Sequence, residues 1–343
     1  MNGTARLKQD HVDAVRWALH AAHSASIRTL AHTTGLSFAT VAGIMAELVQ
    51  TGEAVPGDVL PSGGGRPAQS YRFDAAHAQV LAVSAQARGN QNVIFAQVRD
   101  LYGETIYQTE LVLDTFTLAD FETVIDRCRT ACPAVWVLAL ALPGVVHEGR
   151  AVTNDYPALV GVDFQSQLEA KYRLPTLIEN DVNAAIVCHA LPEGIVAGVY
   201  FPRRFWPGSA VCVNGTVLHG AAGYVGEVGL LPLGIDWLAL NYASPAAAAS
   251  AVAKVLCTFC GLLNPDLLVL YGDFFTPAMQ QATHAAARQC AAGELLPPLL
   301  YRDALREDIF AGLFVKGLQI YRDALHQPYP FSIETTKLSG EQL

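Results

Sequence analysis

Two serine caps and two glycine stops between Ser26 and Gly52 constrain this chain more tightly than any other feature. Ser26 can cap a helix whose buried positions are Ile27, Leu30 and Ala31, and Gly35 ends it in the left-handed conformation that glycine adopts cheaply. After Leu36, Ser37 caps a further helix, Phe38 to Gln50, with Val41, Ile44, Met45 and Leu48 on one face and Gly52 as the stop. Upstream, Val12, Val15, Leu19 and Ala22 recur at helical spacing between His11 and His23. Three helices with so little chain between them form a tri-helical helix-turn-helix, in which the third is placed to enter a major groove.

The residues facing outward near the start of that third helix, Ser37, Ala39, Thr40 and Gly43, are small enough to lie close to base edges, and Arg28 stands on the preceding helix. Val55 to Leu60 and Gln69 to Phe73 pattern as two strands around Ser62-Gly63-Gly64-Gly65-Arg66-Pro67, which makes a wing. Arg66, held by Pro67 beside a backbone bare of side chains, is expected to enter a narrow minor groove, where negative potential is greatest. The candidate DNA contacts are therefore Arg28, Ser37, Ala39, Thr40, Gly43 and Arg66.

Charge tempers this reading. The net charge is −9, yet residues 1–74 hold six Lys/Arg and six Asp/Glu, so the whole excess lies downstream. Phosphate attraction by a neutral head is modest, and useful affinity then needs two half-sites on a dimer or tetramer. No apolar run reaches the roughly 18 residues that span a bilayer, and Met1 to Asp10 lacks a secretory pattern, so the expected setting is cytoplasmic, without a membrane partner. Seven cysteines scattered from Cys128 to Cys290 argue against a disulfide framework, and Cys257 and Cys260 read as two core thiols one helical turn apart.

Beyond the head, Gln79 to Val83, Val93 to Val98, Val135 to Leu140 and Leu267 to Leu270 read as buried strands. They alternate with helical segments at Leu118 to Cys128 and Pro245 to Cys260. An α/β body follows. Along it run Leu142-Pro143-Gly144-Val145-Val146, then Leu174-Pro175 and Ile178-Glu179-Asn180-Asp181-Val182-Asn183-Ala184-Ala185. Gly215, His219-Gly220-Ala221-Ala222-Gly223, Gly226-Glu227-Val228-Gly229 and Leu263-Asn264-Pro265-Asp266 come next.

With the head and its Gly-Arg-Pro wing, these strings resemble the ROK family of repressors and sugar kinases. The resemblance implies a winged helix-turn-helix at 1–74 followed by a two-lobed actin-like ATPase body. The first lobe would span 75–190 and be completed by C-terminal helices in 301–343. A second lobe at 191–300 would carry the ligand cleft and a dimer surface. By the same resemblance Asp181 stands where the kinases keep their general base, and Asn154, Asp155, Asn180 and Glu227 where they hold sugar hydroxyls.

Three departures argue against catalysis. After the first body strand the chain reads Ser84-Ala85-Gln86-Ala87-Arg88-Gly89-Asn90-Gln91-Asn92, with one glycine and no acid, where a phosphate loop needs a magnesium carboxylate and bare amides. The glycine turn expected to open the second lobe is replaced by Phe201-Pro202-Arg203-Arg204-Phe205-Trp206-Pro207-Gly208, with Arg203 and Arg204 read as solvated charges. Leu230 takes the place of the family's zinc-binding histidine, and no cysteine follows until Cys257. The expectation is a DNA-binding regulator, a repressor of a double-stranded operator. Its sensor body would bind a sugar or sugar derivative, with no cofactor, no metal and no catalytic residue, Asp181 being a vestigial base. An active sugar kinase, and a regulator that uses its body only to dimerise, are the two other readings of the same residues.

Overall fold

The computed structural model describes residues 3–60, 68–89, 91–290 and 293–326. Arg66 and the triple glycine of the wing lie outside the described residues. The chain forms two compact units, one built from residues up to Gln79 with Asp100–Glu104, the other from Val80–Arg99 with Thr105–Ala324.

In the first unit, α1 (Gly3–Ala22), β1 (Ser24–Ser26), α2 (Ile27–Thr34), α3 (Phe38–Gln50), β2 (Ala54–Leu60) and β3 (Ala68–Phe73) follow one another. The strands form an antiparallel sheet of order β1-β3-β2. Both serines act as caps: the Ser26 hydroxyl accepts from Thr29 N–H and that of Ser37 from Thr40 N–H, each at 3.1 Å. Gly35 closes α2 at φ +70°. Val12, Val15, Leu19, Leu30, Val41, Ile44, Met45, Leu48 and Phe73 are buried. At about 25 cal/mol per Å², such side chains contribute roughly 1.5–3 kcal/mol each when fully withdrawn from water. The helix begins eight residues earlier than the apolar pattern from His11 suggested, since Arg6, Leu7, Lys8 and Asp10 are exposed and carry no buried stripe to read.

One polar feature of this core is not visible in the pattern. Arg16, on α1, is buried and pairs with Asp13 of the same helix and with Glu53 just before β2. Its second guanidinium nitrogen reaches Glu53 at 3.1 Å, and Thr51 adds a hydroxyl to the same carboxylate at 3.0 Å. The network ties α1 to the segment that leads from α3 into the wing.

The second unit holds two five-stranded sheets. The first is built from β4 (Gln79–Arg88), β5 (Gln91–Asp100), β6 (Thr105–Leu113), β7 (Val135–Leu142) and, after the short ribbon β8 (Val146–His147) and β9 (Arg150–Ala151), β10 (Thr176–Asn180). Its order is β10-β7-β4-β5-β6, with β10 parallel to β7. The second comprises β11 (Ile195–Tyr200), β12 (Gly208–Val213), β13 (Thr216–Val217), β14 (Leu267–Tyr271) and β15 (Leu299–Arg302) in the order β13-β12-β11-β14-β15. Helices α4 (Leu118–Ala131) and α5 (Phe164–Tyr172) bury Phe121, Val124, Ile125, Phe164 and Leu168 in the first sheet's core.

Helix α6 (Asp181–Ile186) leaves β10 directly, while α7 (Pro245–Leu263) and α8 (Pro277–Arg288) pack against each other beside the second sheet. Helix α9 (Arg306–His326) lies against both the first sheet and α6. Gly317 abuts Val80, and Gly312 sits so tightly on the Ala184 carbonyl that a methyl group there would overlap it. This is the mixed α/β, actin-like ATPase fold.

One sequence expectation is corrected. Cys257 on α7 is joined to Cys290, beyond the end of α8, in a disulfide, while Cys260 is a buried free thiol. The pairing was not legible because its partner lies 33 residues on, across an interface between helices. Helix α7 is also long and apolar enough to cross a membrane by length and composition, despite Ser250, Lys254 and Thr258. Half of its most apolar window is buried, and Ala248, Val252, Val255, Leu256 and Phe259 belong to the second sheet's core.

Candidate functional site

The site is organised by the turn at Pro143–Gly144, at the end of β7. Gly144 has φ +78°, and any side chain there would strike Thr153 O and the Asn154 backbone, so glycine lets the 153–155 segment close onto the turn. Two asparagines then grip the turn. Asn154 donates its amide to Pro143 O at 2.6 Å and accepts from Tyr156 N–H at 3.0 Å. Asn180 donates to Gly144 O at 2.8 Å and accepts from Asn183 N–H at 3.0 Å, capping α6. Each asparagine is followed by an aspartate, so the two amides set Asp155 and Asp181 beside one another.

Of the five candidate ligand residues, Asn154 and Asn180 thus have their amide groups engaged by backbone, and the carboxylates of Asp155, Asp181 and Glu227 are the groups left to meet a ligand. Glu227 is delivered from the other sheet. Gly226 lies against Ser209 of β12, whose N–H donates to Gly226 O at 2.7 Å, an approach that leaves no room for a side chain. Among the described residues, no hydrogen bond or ion pair engages the Glu227 carboxylate.

The electrostatics of the trio are unfavourable to charge. Burial pushes the Asp181 carboxyl up to about 7, and Asp155 and Glu227 add repulsion, opposed mainly by Val182 N–H, which donates to it at 2.8 Å. Asp155 and Glu227 are both raised by desolvation, Glu227 also by Asp155. Such a group prefers either a proton or donors from a ligand. Vicinal hydroxyls are donors of that kind.

A second polar network flanks the first and was not anticipated. Glu179, buried on β10, is hydrogen-bonded to His219 at 3.0 Å, to the Asn183 amide at 3.1 Å and to the Lys316 ammonium of α9. Although its own burial works the other way, His219 and Lys316 hold the Glu179 carboxyl down at about 2, and the pairing with Glu179 raises His219. Glu179 and His219 stood in the strings that carry the resemblance, but nothing local marks Lys316, 137 residues away from Glu179.

Strands β4 and β5 are sheet neighbours with only two residues between them, Gly89 and Asn90. Arg204 donates to Gly89 O at 3.1 Å and Arg203 pairs with Asp273 at 2.6 Å, so both arginines are tied to protein rather than simply solvated. Between them and β12, Phe205 packs against the first sheet's core near Tyr156, at 6.1 Å between ring centroids. The 201–208 segment thereby straps one lobe to the other with side chains.

In the head, Arg28, Ser37, Ala39, Thr40 and Gly43 are all exposed, as is Phe38, which the sequence reading passed over. The Ser37 and Thr40 hydroxyls bond each other at 2.9 Å, so the cap is part of the surface offered.

The ROK family model matches residues 93–261. No curated protein matches the chain by sequence. Among solved structures, a ROK family transcriptional regulator, a homolog of the E. coli MLC protein, is 16% identical and superposes with a TM-score of 0.56 over 91% of this chain and 99% of its own. A putative N-acetylmannosamine kinase from Listeria monocytogenes (14% identity, TM-score 0.58) and the ROK hexokinase from Thermus thermophilus (20%, 0.55) each cover 71% of this chain and 99% of theirs. At these identities the likeness is one of fold.

Proposed function

We propose, from the premise that residues 93–261 form a ROK family domain, that this protein is a cytoplasmic DNA-binding transcriptional regulator. It acts as a repressor, as a dimer or tetramer on a double-stranded operator. In this reading residues 1–74 are the DNA-binding domain, residues 75–190 with 301–343 the first lobe, and residues 191–300 the second. Arg28, Ser37, Ala39, Thr40, Gly43 and Arg66 contact DNA. The body is a sensor without phosphoryl transfer, whose carboxylates at Asp155, Asp181 and Glu227, framed by Asn154 and Asn180, take the hydroxyls of a sugar-like effector.

The observation that carries the reading is the exposed first turn of α3, small at every outward position but Phe38 and set on a complete three-helix core. Nothing lies within 4 Å of where a side chain at Gly43 would begin. Gly43→Glu therefore leaves the fold intact and even favours the helix by some tenths of a kcal/mol, while setting a carboxylate against the phosphates. In a salt-controlled anisotropy assay on duplexes selected from genomic DNA, the substitution is expected to weaken binding more than tenfold. Equal affinity for the variant would refute the role given to α3.

A second reading, a sugar kinase, is favoured by one observation: a carboxyl raised to about 7 beside acceptors suited to hydroxyls is also a general base near its working range. It requires ADP release from ATP plus a hexose or amino sugar, abolished by Asp181→Asn. The replaced phosphate loops argue that no turnover occurs.

A further inference from the structure

Away from the cleft, the turn after α6 brings Cys188 and His189 to Asp308 in the first turn of α9. One donor atom from each of the three lies within 4.8 Å of the other two. His189 Nε2 is 2.7 Å from Asp308 Oδ2, and both side chains are mostly buried, whereas Cys188 is exposed and gives an ion a way in. We propose that Cys188, His189 and Asp308 form a binding site for a borderline-soft divalent cation of the zinc class, which clasps α9 to the α6 turn.

The donor set decides the class. A thiolate, an imidazole and a carboxylate suit zinc and exclude the all-oxygen preferences of magnesium and calcium. Three protein donors leave a tetrahedral ion one position for water. Thiolate and carboxylate together carry two negative charges, which a divalent ion neutralises. On entry the ion takes the place of the proton between His189 Nε2 and Asp308, the imidazole stays neutral with its proton carried on Nδ1 after exchange through solvent, and the Cys188 thiol proton passes to solvent. The nitrogen and oxygen then need to part only from 2.7 Å to a little over 3 Å to accept bonds of about 2.0–2.1 Å.

The surroundings fit the same role. The Tyr271 hydroxyl donates to Asp308 Oδ2 at 2.9 Å, an outer contact of the type that orients a ligating carboxylate. Arg302 stands 3.7 Å from the same oxygen, but its side chain is nearly half exposed and free to turn toward water when the ion arrives. A bound ion would hold α9 where Lys316 reaches Glu179, two helical turns further along.

Cobalt(II) titration of the full-length protein provides the test, read by the near-ultraviolet thiolate-to-cobalt band. Uptake of one equivalent is expected, displaced by zinc, weakened at least tenfold by Cys188→Ser and by His189→Gln, and retained when Cys257 and Cys290 are both replaced by Ser. Zinc should also slow amide exchange in residues 306–310 of the wild type and not of Cys188→Ser. Uptake equal in wild type and Cys188→Ser, or a band lost only with Cys257 and Cys290, would overturn the site and leave His189–Asp308 as an ordinary hydrogen-bonded pair.

Discussion

Replacing Asp181 by Asn should stabilise this protein, and by an amount that depends on pH in a defined way. The carboxyl titrates at about 7 in the folded chain, against 3.8 for an unperturbed aspartate. At about 1.36 kcal/mol per unit, the three-unit difference costs the folded state an upper figure of ~4 kcal/mol once the group is ionised. Because the folded value is the higher one, the aspartate's contribution is fully present below about pH 4. It is lost progressively as pH rises through 7. Asparagine keeps the acceptor for Val182 N–H, and its amide can donate to Asp155 or Glu227, which now lack a negative neighbour.

Urea denaturation of the two proteins, followed by tryptophan fluorescence, gives the difference directly, since all other titrations cancel. The variant should gain ~1.5 kcal/mol at pH 5 and approach ~4 kcal/mol at pH 8, a midpoint shift of roughly 1 M or more. A difference that does not change between pH 5 and 8, or a variant less stable than the wild type, would show that Asp181 is compensated in the cleft and that the argument for a ligand-hungry carboxylate fails.

Three further outcomes follow from particular contacts. Arg16→Ala leaves Asp13 and Glu53 buried without their cation and should cost the head ~3–5 kcal/mol, seen as accelerated amide exchange in residues 3–60 with the body unaffected; a loss under about 1 kcal/mol would mean that water replaces the guanidinium. Gly312→Ala drives a methyl into Ala184 O and should destabilise the body by at least ~1–3 kcal/mol in thermal unfolding; a neutral effect would mean that α9 sits further from α6 than described. Arg66→Ala is expected to weaken duplex binding more than roughly tenfold at constant salt, and unchanged affinity would remove the wing from the interface.

The head was legible because its signals are local. Ser26, Gly35 and Ser37 each act within one turn of themselves, and the stripe Val41, Ile44, Met45, Leu48 repeats at the period of the helix it buries. The strands at Val93, Val135 and Leu267 were equally open to reading, being short aliphatic runs. What escaped was every feature whose partner is distant in sequence. Glu53 completes a network with Arg16, Lys316 reaches back to Glu179, and Cys290 closes on Cys257; in each case one partner looks like an ordinary surface charge or core thiol. Arg203 and Arg204 read as solvated for the same reason, their acceptors being Asp273 and Gly89 O.

The candidate site separates residues that serve the fold from residues that work against it. Asn154 and Asn180 hold the Pro143–Gly144 turn and Asn180 caps α6, so loss of either amide would leave a partly buried carbonyl without that donor, at a cost of up to about 1–3 kcal/mol. Folding alone is therefore enough to retain them. Asp155, Asp181 and Glu227 are different, because each is raised by its surroundings and two of them lower the stability of the third. Carboxylates that oppose folding in this way are candidates for a functional role. Phosphoryl transfer additionally needs a metal-holding acid and open amides around the phosphates, and residues 84–92 offer no acid and a single glycine. Binding hydroxyls needs only the acceptors. On the proposed reading, a body that presents these acceptors is suited to sensing a polyol, and the head gives that binding event something to control.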